Sequence, residues 1–249
     1  TLFSPLGFDS LWLMLLGLAL VGAGLFCVWL EIGRPWRALN VFKHMSTSWM
    51  SREALVAPLL FGAGACTWLL EPLLVWPTAL LALLFLYSQS RILLANKGIP
   101  AWRHPRCPQL VMITGLTEGC GLLLLALPLI DQPQPAIWAA MLVLLGVRAL
   151  IWRHYRAGLE QVGAPPACQK KFASIDSKFL WLGHLLPAGL LALALLQPEA
   201  AMIAGVLAIG SGAWVKYILI CKASFIQGFS MTHLPVRGQP STQRPASVA

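Results

Sequence analysis

The chain has 249 residues, 58% of them hydrophobic and only 11% charged, with a formal net charge of +9 and a mean hydropathy of +0.73. Soluble domains carry about 25% charged residues, so a soluble domain is excluded and an all-α, polytopic transmembrane helix bundle is expected. The basic residues stand in short loops between apolar runs, which is the pattern of membrane topology, so the lipid bilayer and no nucleic acid is the expected partner.

A membrane helix needs about 20 apolar residues. Read in chain order, spans are expected at Ser10 to Leu30, Glu53 to Leu70, Leu73 to Leu94, Pro108 to Ile130 and Gln134 to Trp152. Two more are expected at Lys178 to Leu196 and Ala200 to Cys221, about seven in all. The second and third spans are separated only by Glu71-Pro72, the fourth and fifth by Asp131-Gln132-Pro133, and the last two by Gln197-Pro198-Glu199. Turns that tight make their flanking helices antiparallel neighbours, because proline resists helix continuation. Pro58, Pro128 and Pro187 fall inside spans and are candidate helix breaks. Since the chain begins at Thr1 and not at Met, an N-terminal piece is expected to be missing or processed, which makes eight spans if that piece carries one. Residues 1–238 are read as one anchor domain and 239–249, rich in Ser and Pro, as a flexible tail.

All 18 Lys and Arg fall toward one face of this arrangement, from Arg34, Arg37 and Lys43 in the first long loop to Lys222, Arg237 and Arg244 after the last span. The opposite turns carry Asp9, Glu71, Asp131 and Glu199. The positive-inside rule then places the long loops and the C-terminus in the cytoplasm.

Ionisable groups within a span are costly and are candidate functional sites. Glu31, Arg91, Glu118, Arg148, His184 and Lys216 qualify, and all lie in the half of the bundle nearer the basic loops. That clustering implies a polar cavity opening on that side. Arg91, Arg148 and Lys216 are close enough to the span ends to snorkel to the interface. Glu118, about ten residues deep, either pairs with one of those cations or serves proton chemistry. His184 is either a hydrogen-bonded structural residue or one that meets a ligand. The six cysteines form no CxxC pair, so neither a zinc site nor an iron–sulfur cluster is expected in this chain. Of the five histidines only His184 lies well inside a span, so the two facing axial ligands of a membrane haem are missing and no haem is expected.

The segment Glu31-Ile32-Gly33-Arg34-Pro35-Trp36-Arg37-Ala38, followed by Ser48-Trp49-Met50-Ser51-Arg52-Glu53, is the most informative stretch. It resembles the turn and the following helix start of the NrfD-like family of membrane anchors, which includes the anchor subunits of dimethyl-sulfoxide and polysulfide reductases. Lys97-Gly98-Ile99-Pro100-Ala101-Trp102, Thr114-Gly115-Leu116-Thr117-Glu118-Gly119 and the tail from Ile226 to Gly238 resemble one branch of it, the membrane subunit of phenylacetyl-CoA:acceptor oxidoreductases.

That resemblance implies a subunit without haem that binds a quinone or quinol (menaquinone or ubiquinone). Its implied partners are a four-cluster, ferredoxin-like iron–sulfur subunit and a molybdopterin or tungstopterin catalytic subunit, as in anaerobic respiration. It also places Glu31, Gly33, Arg37 and Glu53 at the quinone site, although a carboxylate, Glu31, stands where the dimethyl-sulfoxide reductase anchor has a histidine. Independently, quinone chemistry needs an apolar slot, hydrogen-bond donors and a titratable group open to water. Trp36, Trp49 and Trp102 are candidates for the slot, Arg34, Arg37 and His44 for donors, and Glu31, Glu53 and Glu118 for proton carriers. The rival reading from another class is a secondary transporter with an inward-opening cavity, which has its site near mid-depth between repeats; no internal repeat is evident.

Overall fold

Lipid offers no hydrogen bonds, so each apolar run must satisfy its own backbone and closes as a helix. The computed structural model describes residues 8–33, 35–70, 72–126 and 135–224, apart from the side chains of 8–10, 35–39 and 72, and no strand occurs among them. Helix α1 covers Phe8–Glu31. A 3₁₀ segment, Pro35–His44, leads to α2, Trp49–Leu69, whose first turn is capped by the Ser48 side chain accepting from the Ser51 N–H. Then come α3 (Val75–Ala95), the short α4 (Pro100–Arg103), α5 (Cys107–Ala126) and α6 (Pro135–Ala157). The run from Pro166 to Leu193 is α7 (Pro166–Leu180), a π turn (Trp181–Leu185) and α8 (Leu186–Leu193). Helix α9, Ala200–Tyr217, closes the bundle and ends in a second π turn, Ile218–Lys222.

Among the described residues five helices are long and apolar enough to cross a membrane: α1, α3, α5, α6 and α9 with its π turn. The other two expected spans are helical too. Arg52 and Glu53 dilute the apolar character of α2, while the sixth run is divided by its π turn. Helix α2 passes Pro58 without a break. The largest departure from expectation is α7, which begins at Pro166, twelve residues before the expected span. Its first half is amphipathic: Cys168, Phe172, Ile175 and Phe179 are buried at helical spacing, while Gln169, Lys170 and Ser174 stay outside or half-buried. Hydropathy averaging misses such a stretch, but its periodicity matches a helix with one buried face.

Large apolar side chains point outward all along the bundle, among them Leu70, Trp76, Leu80, Val143 and Leu196. No part of the apolar window of α1 is buried. It touches α2 through Leu18 against Gly64, Gly22 against Phe61, and an edge-on Trp12–Trp68 pair. The interior lies elsewhere. Trp152, Tyr155, Phe172 and Phe179 fill the basic end between α6 and α7. Tyr155 donates to the Ala101 carbonyl at 2.9 Å, and Trp102 donates to the Leu219 carbonyl at 3.0 Å.

Between α5 and α9 the backbones themselves meet. Without a hydrophobic effect between helices, close approach of small residues supplies the packing. Ala201, Ala204, Gly205, Ala208, Ser211 and Gly212 form a buried stripe on α9. A Cβ on Gly205 would stand 2.6 Å from the Gly121 carbonyl oxygen and 3.2 Å from the Leu124 Cβ. Gly205→Ala is therefore expected to destabilise the bundle by about 1–3 kcal/mol. Gly210→Ala on the same helix, where a Cβ meets nothing within 4 Å, is expected to be neutral or better. Thermal midpoints of the two variants in detergent check this pair.

Candidate functional site

Two groups of polar residues occupy the basic half of the bundle. The outer one sits where α2 begins and α3 ends. Arg52 is locked by its Nε to the Met45 carbonyl at 3.1 Å and by Nη2 to the Ser46 carbonyl at 2.7 Å, so the entry to α2 is held from the preceding turn. Its guanidinium lies 4.4 Å from the Trp49 ring centre, and that of Arg91 lies 5.0 Å from the same ring. Arg91 also approaches Tyr87 at 5.9 Å, and Tyr87 meets Trp49 edge-on. Two cations on one indole are favourable because the ring faces carry negative quadrupole density. Beside them Gln89 donates to Glu53 Oε1 at 3.1 Å. The Arg91 Nε is buried and has no hydrogen-bond partner.

The inner group joins α5, α6, the π turn and α9. Arg148 is 0% exposed. Its Nε donates to His184 Nε2 at 3.1 Å, Nη1 to the Ala208 carbonyl at 3.5 Å, and Nη2 to the Gly183 carbonyl and to Ser211 Oγ, the latter at 3.4 Å. The snorkelling expected of Arg148 does not occur. The local backbone explains why. Pro187 has no N–H, so the Gly183 carbonyl four residues earlier lacks its helical donor, and Arg148 supplies one. His184 Nδ1 donates to the Phe179 carbonyl at 3.0 Å. With Nδ1 donating and Nε2 accepting, the ring is the neutral Nδ1–H tautomer.

Lys216 does not snorkel freely either. Its Nζ meets Glu118 Oε2 at 2.5 Å. The carboxylate fits there because Gly212 has no side chain: a Cβ on Gly212 would stand 2.5 Å from Glu118 Oε1. Glu118 Oε1 and Thr114 Oγ1, one turn apart on α5, are buried without hydrogen-bond partners. At the outer edge of α7, Asp176 accepts from Trp152 Nε1 at 2.7 Å and pairs with Arg156. Burial alone would raise the Asp176 pKa, but the hydrogen bonds from Arg156 and Trp152 and the charges of Arg156 and Arg153 together hold it below the usual carboxylate range.

The expected site residues thus divide. Glu118 and His184 come together in the inner group through Ser211 and Gly212 of α9, Arg148 bonding the first and Glu118 abutting the second. Glu53 belongs to the outer group. Glu31, Gly33 and His44 are exposed near the 3₁₀ segment, and among the described residues no hydrogen bond or ion pair joins Glu31 or His44 to Glu53. Arg34 lies outside the described residues, as do the side chains of Trp36 and Arg37, the turn at Asp131 and everything after 224. Gln89, Tyr87 and Ser211 were not anticipated. Gln89 had a signal, a lone amide two residues before Arg91 within an apolar run.

Residues 11–155 match the family model described as the DMSO reductase anchor subunit (DmsC). The chain belongs to the DMSO reductase anchor subunit family. No curated protein matches it. As a member of this family it is a multi-pass membrane anchor subunit of an oxidoreductase. The matched stretch takes in the turn after α1, the outer group and Glu118, and ends before α7. His184 and the tail from Ile226 to Gly238, on which the resemblance to one branch rests, fall beyond it.

Proposed function

We propose that this anchor subunit binds a quinone at the outer group and passes electrons between the membrane quinone pool and an iron–sulfur subunit, itself joined to a molybdopterin or tungstopterin catalytic subunit. The observation that carries the reading is the arrangement around Glu53. A half-buried carboxylate has one oxygen held by Gln89, beside a buried Arg91 Nε that has no acceptor and two aromatic rings, Trp49 and Tyr87. A quinone headgroup asks for a flat apolar wall, a donor to a carbonyl oxygen and a group that exchanges protons with water, and these residues fit each requirement. The bound quinone supplies two-electron, two-proton chemistry.

The chain's part is positional. Gln89 fixes the orientation of Glu53, and Arg52 ties the start of α2 to the preceding turn, so the carboxylate stays at the mouth of the site. Arg91 offers its Nε–H as a donor, and Glu53 moves protons to the basic face, where Glu31 and His44 are exposed. Glu118 and His184 are assigned to holding the bundle together. Both ring nitrogens of His184 are engaged, so it exchanges no proton without losing a bond. The proposal also places the basic end, with the iron–sulfur partner, on the cytoplasmic side.

Glu53→Gln preserves shape and an amide contact to Gln89 but cannot titrate. It is expected to lower quinol-linked turnover of the assembled complex about a hundredfold, the lower end of the range for positioned proton transfer, with the iron and molybdenum or tungsten content unchanged. Turnover at the wild-type rate would refute the assignment. A chain that purifies without those metals under conditions that keep other membrane complexes intact would argue against the partners.

A further inference from the structure

A groove of about 610 Å³ runs along the outer side of α6, α7 and the π turn, with His184 of the inner group in its wall. One of its ends is polar, lined by Arg153, Asp176 and Ser177; the other is apolar, lined by Gly146, Leu150 and Leu185. The two ends are seven residues apart on α6, roughly 10 Å at 1.5 Å per residue. Such a slot is shaped for an amphiphile, with a head at the basic end and a tail toward the bilayer centre. Its width has a local cause. Gly146 leaves open space, since a Cβ there would meet nothing within 4 Å, and the π turn carries Trp181 and Leu185 outward.

Charge decides which amphiphile. Asp176 is neutralised by Arg156 and hydrogen-bonded by Trp152. His184, at the groove wall, spends both ring nitrogens inside the bundle. Arg153 makes no hydrogen bond or ion pair among the described residues. The mouth therefore presents one guanidinium that acts on Asp176 by charge alone and keeps its hydrogen-bond donors free, and the Ser177 hydroxyl, a pair that suits a phosphate oxygen fork better than a neutral carbonyl. We infer that this groove holds one anionic phospholipid, its phosphate on Arg153 and one acyl chain along Gly146, Leu150 and Leu185. The inference does not depend on the quinone reading, whose residues lie on α2 and α3.

The test is native mass spectrometry of the detergent-purified complex, delipidated and then offered phosphatidylglycerol or phosphatidylcholine. One phosphatidylglycerol per chain should be retained in preference to phosphatidylcholine. Arg153→Gln, at an exposed position, should weaken that retention roughly fivefold, the contribution of one cation at an anionic lipid surface. Gly146→Leu, whose Cβ would meet nothing within 4 Å and whose side chain would occupy the open space, should remove it while the thermal midpoint stays within the wild-type range. Equal retention of the two lipids, undiminished binding in both variants, or a quinone mass displaced by Gly146→Leu would each overturn the inference.

Discussion

Arg148→Leu is expected to destabilise the bundle by about 3 kcal/mol, although it replaces a buried charge with a lipid-compatible side chain. Swapping buried ionic groups for apolar ones is often harmless when both partners are replaced. Here the partners are backbone carbonyls, and they cannot be replaced. The Gly183 oxygen has no helical donor because Pro187 lacks an N–H, and Ala208 O and His184 Nε2 also receive from the guanidinium. Each acceptor left alone away from water costs roughly 1–3 kcal/mol. The stacking of the guanidinium over Phe179, at 5.2 Å, is lost as well. Pro187→Ala should return about 1 kcal/mol in the Arg148→Leu background, because it restores an N–H opposite Gly183 O. Thermal midpoints of the two single variants and the double variant in the same detergent measure the coupling. Additive effects, or an Arg148→Leu protein that melts with the wild type, would show that these carbonyls find donors elsewhere.

That dependence of Arg148 on a proline 39 positions away is also where sequence reading reached its limit. Hydropathy located the apolar runs, and tight Pro-containing turns made neighbours of α2 and α3, because those signals are local. Glu118 was expected either to pair with a nearby cation or to carry protons, and Lys216 is its partner. The position of Arg148 near the span end permits snorkelling, yet its side chain is fully buried. What turns it inward is an acceptor created on another helix by Gly183 and Pro187. The early start of α7 was hidden for a different reason. Its buried residues, Cys168, Phe172, Ile175 and Phe179, are diluted by lysines and an aspartate, so only the 3.6-residue period betrays it. At the outer group, Glu53 was legible from its motif, while Gln89 and Tyr87 reach it only through the pairing of α2 with α3.

Lys216→Met should lower stability by about 2 kcal/mol, and adding Glu118→Gln should restore most of the loss. Removing one member of a buried pair strands the other charge, at up to 3–5 kcal/mol when burial is complete; the partial exposure of Lys216, 33% of its side chain, argues for the lower figure. Glu118 cannot move away to find water, because its carboxylate is seated against Gly212 between α5 and α9. In Lys216→Met it must therefore keep an unpaired charge or take up a proton. Glutamine in its place removes that penalty while filling the same space. The same variants separate the two roles open to a carboxylate at this depth. If Glu118 fastens α5 to α9, Glu118→Gln alone lowers the melting point modestly and leaves quinol turnover per folded complex within about twofold, against the roughly hundredfold or greater loss typical of a missing proton carrier. If turnover instead falls about a hundredfold with the melting point unchanged, the unpartnered Oε1, with Thr114 Oγ1 one turn below it, is the start of a proton path, and the assignment of proton transfer to Glu53 alone fails.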